Sequence, residues 1–574
     1  MWIQIYDIVS SIFGLLLNVF YREIRVQGLD NVPKEGPVIF VAAPHANMFI
    51  DGAIFTKYCP REVSFVMAKR ATTYKYAGSL IRGMHAITLE RPKDFAEMGK
   101  GSIQLDQYKD DSFHVNGIGT EFTKQLKVGG RIALPNDYGS SEILEILSDT
   151  ELVIREEFKG FKALEMLTQP NGTPYVYLPR VDQSHLYKKT IEVLNAGKCI
   201  GMLPEGRSHD RAELLPLKAG MAIVALSAMA ENSNQDIKIV PCGLLKMSYR
   251  LQLVTNVTLI PFFIGLNYSC AHKFRSRAVV WFGSPISIPP ELVEKYRNKG
   301  QDRKQACGKL LEIIYDGLKS VTVTAPDYET LMVIRTARSL YRNFHGSGIH
   351  EEMKLDQRFI NGYMKCKDDP YVQAIHKEIM EYIRLLKHYG LDDRQVHQIS
   401  GRGFRTLALL LWQIIILVLC FVLSLPGLIL NLPLIMDTHF VSSKKAEVAR
   451  KSCVMIAGHH VVATWKILTS FRDVPILYGL YTFIILFLAH KYHWNLILNS
   501  GIFAPINVLI ILFAYNYVLI RLLDVGSDLY RSLLPLVISF SSPQSSIQHL
   551  QQIRDKLSND VTELVNELKT KIMC

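Results

Sequence analysis

Two short strings hold residue types that can do chemistry together. The first is Pro44-His45-Ala46-Asn47-Met48-Phe49-Ile50-Asp51, and the second is Leu203-Pro204-Glu205-Gly206-Arg207-Ser208-His209-Asp210. Imidazole is neutral near pH 7 and can take a proton from a hydroxyl. A carboxylate can bond the other ring nitrogen, fixing the tautomer and stabilising the imidazolium as it forms. His45 and Asp51 therefore read as a general base and its partner, with the substrate's own hydroxyl as nucleophile. In the second string, glycine lets the backbone approach a ligand closely, and Arg207 suits a phosphate or oxyanion through forked, charged hydrogen bonds. Each string taken alone is also explained by a structural turn.

The elements around these strings decide between the two readings. Val38-Ile39-Phe40-Val41-Ala42 is a buried-strand run that ends at the first string, and Lys198 to Leu203 is a strand leading into the second. Ala86-Ile87-Thr88-Leu89 runs into Glu90-Arg91-Pro92-Lys93-Asp94, which adds Arg91 as a third strand-end group. Glu62 to Met67, Ile237 to Pro241 and Ala278 to Phe282 are further strands, alternating with amphipathic helices. Such alternation predicts an α/β layer architecture over residues 23–289, a mixed sheet flanked by helices, with sites at the strand ends. Residues 99–160 differ. Gly, Asp and Asn turns separate short alternating strands at Arg131 to Leu134, Glu142 to Ile146 and Glu151 to Ile154, which predicts a small β insertion. Residues 290–400 show helical three/four spacing and high charge, and read as a helical layer between the α/β body and a membrane.

Composition supports a membrane-bound chain with anionic partners. Of 574 residues 49% are hydrophobic, the formal charge is +12, and the mean hydropathy is +0.13. That charge favours phosphates, coenzyme A or acidic headgroups. Nucleic acid is not expected, since no Cys/His finger or Gly-rich RNA-binding signature is present. The nine cysteines are scattered with no metal-ligand spacing, so free thiols are expected and neither a metal nor another cofactor is implied. Residues 1–22 read as an interfacial or shallow anchor helix, with a true span as the second choice and a buried globular helix as the remaining alternative. Within 401–525, Leu407 to Ser424 is long enough to span a bilayer, and Val474 to Ala489 and Leu496 to Ile520 are further candidates. The run after Pro426-Gly427 is either a kinked extension or the return leg of a hairpin. The basic stretch from Val441 to Arg472 belongs in the cytosol by the positive-inside rule, as do Arg402 and Arg405, which favours two hairpins. The tail, 526–574, is a polar helix with one apolar stripe (Ile547, Leu550, Ile553, Leu557, Val561, Leu564, Leu568), suited to self-association or to folding back.

Taken together, the strings resemble the PlsC-type glycerolipid acyltransferase superfamily, and most of all its fungal glycerol-3-phosphate/dihydroxyacetone-phosphate acyltransferases. The resemblance runs from about Phe20 to Leu340. It is carried by Pro-His-Ala-Asn-x-Phe-Ile-Asp, Glu-Arg-Pro-x-Asp, Pro-Glu-Gly-x-Ser-His-Asp-Arg, Leu-Pro-Leu-Lys-Ala-Gly and Lys-Phe-Arg-Ser-Arg-Ala-Val-Val. Five residues, 46–50, separate His45 from Asp51, as in the fungal branch, where the superfamily usually has four. The resemblance implies acyl transfer from acyl-CoA to the sn-1 hydroxyl of glycerol 3-phosphate or dihydroxyacetone phosphate. It makes His45 and Asp51 catalytic, and Arg91, Glu205, Gly206 and Arg207 ligands or guides of the phosphorylated acceptor. Arg207 stands where the fungal branch has a small residue. Asn267 is a further expected substrate contact, and Lys218, Arg275 and Arg277 are either further phosphate contacts or ordinary surface charges. The implied location is the endoplasmic reticulum membrane, multi-pass, with the catalytic domain in the cytosol. Lysophosphatidate acyl transfer, or an inactive lipid-binding homologue, stays open as an alternative.

One departure stands out. The fourth motif should read Val-Pro-Cys-Gly-Leu-Asn-Tyr in one piece, but Val240-Pro241-Cys242-Gly243-Leu244 is followed by Leu245-Lys246-Met247, and Gly265-Leu266-Asn267-Tyr268 comes only later. Residues 245–264 therefore read as an aberrant insertion from an intron carried into the reading frame. Such an insertion is expected to disrupt the strand leading to that motif.

Overall fold

The computed structural model describes residues 2–45, 48–73, 77–105, 113–135, 138–209, 213–232, 235–247, 275–298, 300–322, 327–341, 349–399, 402–450, 460–494, 499 and 501–573. A mixed sheet forms the catalytic body. Its path runs β1 (Tyr21–Gln27), β14 (Ser276–Phe282), β13 (Lys238–Met247), β2 (Val38–Ala43), β12 (Cys199–Met202), β3 (Val63–Ala68), β4 (Ile87–Leu89). The five strands β13, β2, β12, β3 and β4 are parallel, so their C-terminal ends share one edge of the sheet. β14 is antiparallel to β13 and parallel to β1.

All six residues of β2 are buried, as a continuous apolar run must be when both faces are covered. Phe40 and Ala42 join a core with Phe13, Leu17, Ile54 and Phe55 from the helices Trp2–Phe20 and Met48–Tyr58. Ile39 and Val41 join a core on the opposite face with Leu194, Val224, Leu310 and Ile314. The helices Pro290–Arg297 and Gln301–Val321 are part of that second layer, so the α/β body extends past the boundary at 289. Gly243 shows how close the contact is. A Cβ there would sit 1.9 Å from the Val321 carbonyl oxygen, so only glycine lets the strand and the helix end meet.

The β insertion is larger than 99–160 and is closed. β5 (Glu97–Met98), β11 (Val176–Leu178), β8 (Arg131–Ala133), β9 (Ser140–Ile146), β10 (Glu151–Ile154), β7 (His114–Ile118) and β6 (Ser102–Leu105) pair in that order. A bridge between Ile103 of β6 and Thr173, in the stretch leading into β11, joins the last strand of this order back to the first part of it. Ile103, Phe122, Ile143, Leu152, Tyr175 and Tyr177 fill this small barrel, and closure removes its edges.

The N-terminal helix is a core element on one face. Val9, Phe13 and Leu17 are buried while Ile8, Leu15 and Val19 are exposed, together with Asp7, Ser11 and Asn18. Among the described residues three helices are long and apolar enough to cross a membrane, at 404–448, 462–491 and 501–541, and the chain is a membrane protein. The expected return leg after Pro426 is not formed, because the helix Phe404–Arg450 runs straight through Pro426 and Pro433. Two hairpins are therefore not the arrangement. The last of these helices runs past 525 to Ser541. Inside the bundle Asn431 Nδ2 donates to Asn516 Oδ1 at 2.6 Å, an amide pair that joins two apolar helices.

The tail helix Gln544–Met573 folds back. Ile547, Leu550, Leu557 and Val561 are buried against Val333, Leu340, Ile375 and Ile379, and Arg554 makes a two-armed ion pair with the buried Asp393 at 2.8 and 3.1 Å. This burial covers most of the stripe expected to serve self-association. The strand β13 is not interrupted at Leu244. It continues through Met247, with Leu245, Lys246 and Met247 opposite Val279, Ala278 and Arg277. The rest of the expected insertion, and Asn267, lie outside the described residues.

Candidate functional site

Most of the sequence-derived residues gather at the shared edge. β2 ends at Ala43, a cis Ala43–Pro44 peptide follows, and His45 comes next. Asp51 is in the first turn of the helix Met48–Tyr58. His45 Nδ1 lies 3.0 Å from Asp51 Oδ2, with the residues 7% and 1% exposed. A ring nitrogen facing a carboxylate carries the proton, which leaves Nε2 as the nitrogen that accepts one. The dyad thus has the arrangement of a general base with its orienting acid. Burial, and secondarily the charge of Asp51, push the Tyr21 phenol well above its ordinary range, so that group stays neutral.

The turn after β12 grips the base. The His45 backbone N–H donates to Glu205 Oε2 at 2.6 Å. Glu205 Oε1 accepts from His209 Nε2 at 2.7 Å and from the Leu215 N–H at 2.9 Å. The His209 N–H donates to the His45 carbonyl at 3.0 Å. The Glu205 side chain is wholly buried. Expected as an acceptor ligand or guide, it is occupied instead with holding His45. A carboxylate facing three protein donors and no solvent has little left to offer a substrate.

Gly206 follows at φ +70°, and a Cβ there would come within 3.2 Å of Lys218 Cγ. Glycine thus serves both the left-handed turn and the passage of the Lys218 stem across it. The Lys218 N–H donates to Pro204 O at 2.8 Å, and the exposed Lys218 and Arg207 both stand at this turn. Arg91, at the end of β4, is three strands from β2. Its guanidinium bonds Asp94 at 2.9 and 3.3 Å. Although partial burial works the other way, Arg91 holds the Asp94 carboxyl below its ordinary range. Half-exposed, Arg91 faces the same edge from the far side.

Two of the predicted contacts belong elsewhere. Arg275 is 3% exposed and makes a two-armed pair with Asp524 of the helix Ala504–Ser541, at 3.0 and 2.5 Å. Its remaining amino group donates to the carbonyls of Asn18, Val19 and Tyr21 at the end of the N-terminal helix. With every arm engaged, Arg275 is a structural clamp and not a phosphate ligand. Arg277 pairs with Glu23 on the neighbouring strand at 3.3 Å. Sequence reasoning gave His209 no role, although it stands inside the second string. It also missed Phe49, whose ring packs edge-on against Phe13 at 5.6 Å and against Phe471 of the helix His460–Lys491 at 6.3 Å. The periodicity of helix Met48–Tyr58 shows that Phe49 is apolar but not what covers it. Among the described residues no cluster of metal-binding side chains occurs, and Cys59, Cys199, Cys242, Cys307, Cys366 and Cys420 are free thiols.

The Acyltransferase family model matches residues 23–113 and 162–245, which bracket most of the barrel, and the Glycerol-3-phosphate acyltransferase 2 C-terminal domain model matches 333–573. Over nearly its whole length the chain is 38% identical to the glycerol-3-phosphate O-acyltransferase 1 of Saccharomyces cerevisiae (99% of this chain, 72% of the relative). It is 32% identical to that organism's glycerol-3-phosphate O-acyltransferase 2 (98% and 76%). This chain belongs to the glycerol-3-phosphate O-acyltransferase family. An uncharacterized acyltransferase of Schizosaccharomyces pombe is also 38% identical, over 98% of this chain and 81% of its own. A solved structure, the 1-acyl-sn-glycerophosphate acyltransferase PlsC from Thermotoga maritima, aligns with 55% of this chain and 80% of its own at 9% identity and a TM-score of 0.26. The chain is thus an O-acyltransferase of the family, with a second family-specific domain that contains all three membrane-length helices.

Proposed function

We propose that this enzyme transfers the acyl group of an acyl-CoA to the sn-1 hydroxyl of glycerol 3-phosphate or dihydroxyacetone phosphate, giving lysophosphatidate or acyl-dihydroxyacetone phosphate. The observation that carries the reading is the buried dyad, with Nδ1 of His45 tied to Asp51 and Nε2 left as the proton acceptor. As the acceptor oxygen attacks the thioester carbonyl, Nε2 takes its proton. The tetrahedral intermediate then collapses, the C–S bond breaks, and the imidazolium returns the proton to the leaving coenzyme A sulfur. Arg207, Gly206 and Lys218 beside the dyad, with Arg91 beyond, are the groups proposed to meet the acceptor phosphate. A thioester is already an activated acyl donor, so the reaction as proposed needs no resident cofactor.

The membrane is proposed to be the endoplasmic reticulum, with the catalytic body in the cytosol. The first turns of helix His460–Lys491 pack Ala463 and Ile467 into the core beside the catalytic helix. Lys466 and Arg472 of that helix therefore count, by the positive-inside rule, toward a cytosolic catalytic body. Arg402 and Arg405, by contrast, stand at the opposite end of the single helix Phe404–Arg450 and are not on the side expected for them. The test is an acceptor panel. Purified protein with one acyl-CoA is given glycerol 3-phosphate, dihydroxyacetone phosphate or lysophosphatidate, and released coenzyme A and lipid product are both measured. Turnover on either of the first two supports the proposal. Turnover on lysophosphatidate alone replaces it with a different acceptor, and no turnover on any makes the chain an inactive homologue.

A further inference from the structure

The dyad explains what His45 and Asp51 do, but it does not explain what keeps His45 in place. A base that leaves a strand end on a turn needs its main chain held, because a misplacement near 1 Å costs about 10²-fold in rate. Here the holding comes from the turn after β12. Glu205 takes the His45 N–H and the His209 amide gives to the His45 carbonyl, so both sides of the same residue are pinned. Glu205 is in turn oriented by His209. The imidazole Nε2 donates to Oε1 at 2.7 Å, and neither side chain is exposed at all.

We propose that His209 is a positioning residue for the transfer reaction: its imidazole sets the Glu205 carboxylate, and the carboxylate sets His45. The proposal rests on the reading of His45 as the general base. The geometry is that of a chain with one direction. Glu205 has two oxygens and three donors, two of them main-chain N–H groups whose places follow from the fold. The His209 side chain is the third. Without it Oε1 keeps, among the described residues, only the Leu215 N–H, and a buried carboxylate with a missing donor rotates toward whatever can replace it. The Oε2 bond to His45 is what such a rotation would loosen. Because His209 is enclosed, it has no direct contact to make with acyl-CoA or acceptor, so its loss acts on the rate and not on substrate affinity.

The experiment compares full-length wild type, His209→Leu, His209→Gln and His209→Asn in detergent micelles, with kcat and both KM values measured for acyl-CoA and glycerol 3-phosphate. Leucine fills the space and removes the donor. Glutamine carries an amide nitrogen at about the reach of Nε2, while asparagine is too short to bring one to Glu205. His209→Leu is expected to lower kcat about 10- to 100-fold with both KM values within about 2-fold of wild type. His209→Gln is expected to recover most of that loss and His209→Asn little of it. Should His209→Leu fail to fold, the glutamine–asparagine comparison carries the test by itself. Wild-type kcat in His209→Leu, or equal rates in the glutamine and asparagine variants, overturns the positioning role and leaves the assignment of His45 standing. A rise in KM that accounts for the whole loss also overturns it. A wild-type protein without turnover on any acceptor overturns the functional reading, and this role with it.

Discussion

At the scale of residues, catalysis depends on how His45 is gripped as much as on its own chemistry. Asp51 acts on the ring and Glu205 on the main chain, and the two are separable by mutation. Asp51→Asn keeps the size of the side chain but disfavours the required tautomer. It is expected to lower kcat by about 10²- to 10⁴-fold with the protein still folded, as read by thermal unfolding alongside the assay. Glu205→Ala removes the acceptor of three donors at once, two of them in buried hydrogen bonds. Beyond the loss of turnover, it is expected to destabilise the protein by roughly 3 kcal/mol or more, seen as a lowered midpoint in denaturant. The dyad was legible in the sequence because a strand-end histidine near a carboxylate has few other uses when two more strand-end motifs accompany it. The duty of Glu205 was not legible, since a carboxylate in a Pro-Glu-Gly turn looks the same whether it faces a ligand or a neighbouring backbone. Arg275 misled for the same reason. Its charge is visible in the sequence, while the three carbonyls and the carboxylate that absorb it come from segments far away in the chain.

At the scale of elements, hydrophobic pattern served well where both faces of a strand are covered and less well where closure or kinks matter. β2 reads as a buried strand because its run has no polar break. The barrel was read as a short insertion because its closing strand, Val176–Leu178, is three residues long and lies outside the turn-rich stretch. The kinked extension and the hairpin return leg after Pro426 are equally compatible with composition. The structure takes neither break: the helix Phe404–Arg450 is continuous through both prolines, and the Asn431–Asn516 pair ties it there to the helix Ala504–Ser541. The clamp of Arg275 on Asp524 joins three elements: the N-terminal helix, β14 and a membrane-length helix. Asp524→Ala leaves a buried guanidinium with only carbonyl partners and is expected to cost about 3–5 kcal/mol. The check is thermal unfolding in micelles, and an unchanged midpoint would deny that the clamp holds these elements together.

At the scale of the whole molecule, the C-terminal domain is part of the catalytic body's packing as well as its route to the membrane. Ala463, Ile467 and Phe471 cover the helix that carries Asp51, and Asp524 completes the Arg275 clamp. A chain truncated before residue 333 is therefore expected to be inactive and aggregation-prone, even though the strands and motifs of the acyltransferase body all precede the cut. A soluble, active truncation would show that the body stands alone. The stretch at 245–264 bears on the molecule in another way. β13 holds its register with β14 through Met247, and because ladder pairing is made by the backbone, that pairing does not distinguish the inserted residues from the motif they interrupt. The expected outcome of sequencing the transcript is an mRNA without this segment, and an mRNA that carries it in frame contradicts the intron reading.

The most direct measurement of the central claim is acyl transfer from acyl-CoA to glycerol 3-phosphate by wild type and by His45→Ala, side by side at equal folded concentration. The account predicts turnover in the wild type and its loss in the variant, with unchanged thermal unfolding. Retained turnover in His45→Ala would contradict it.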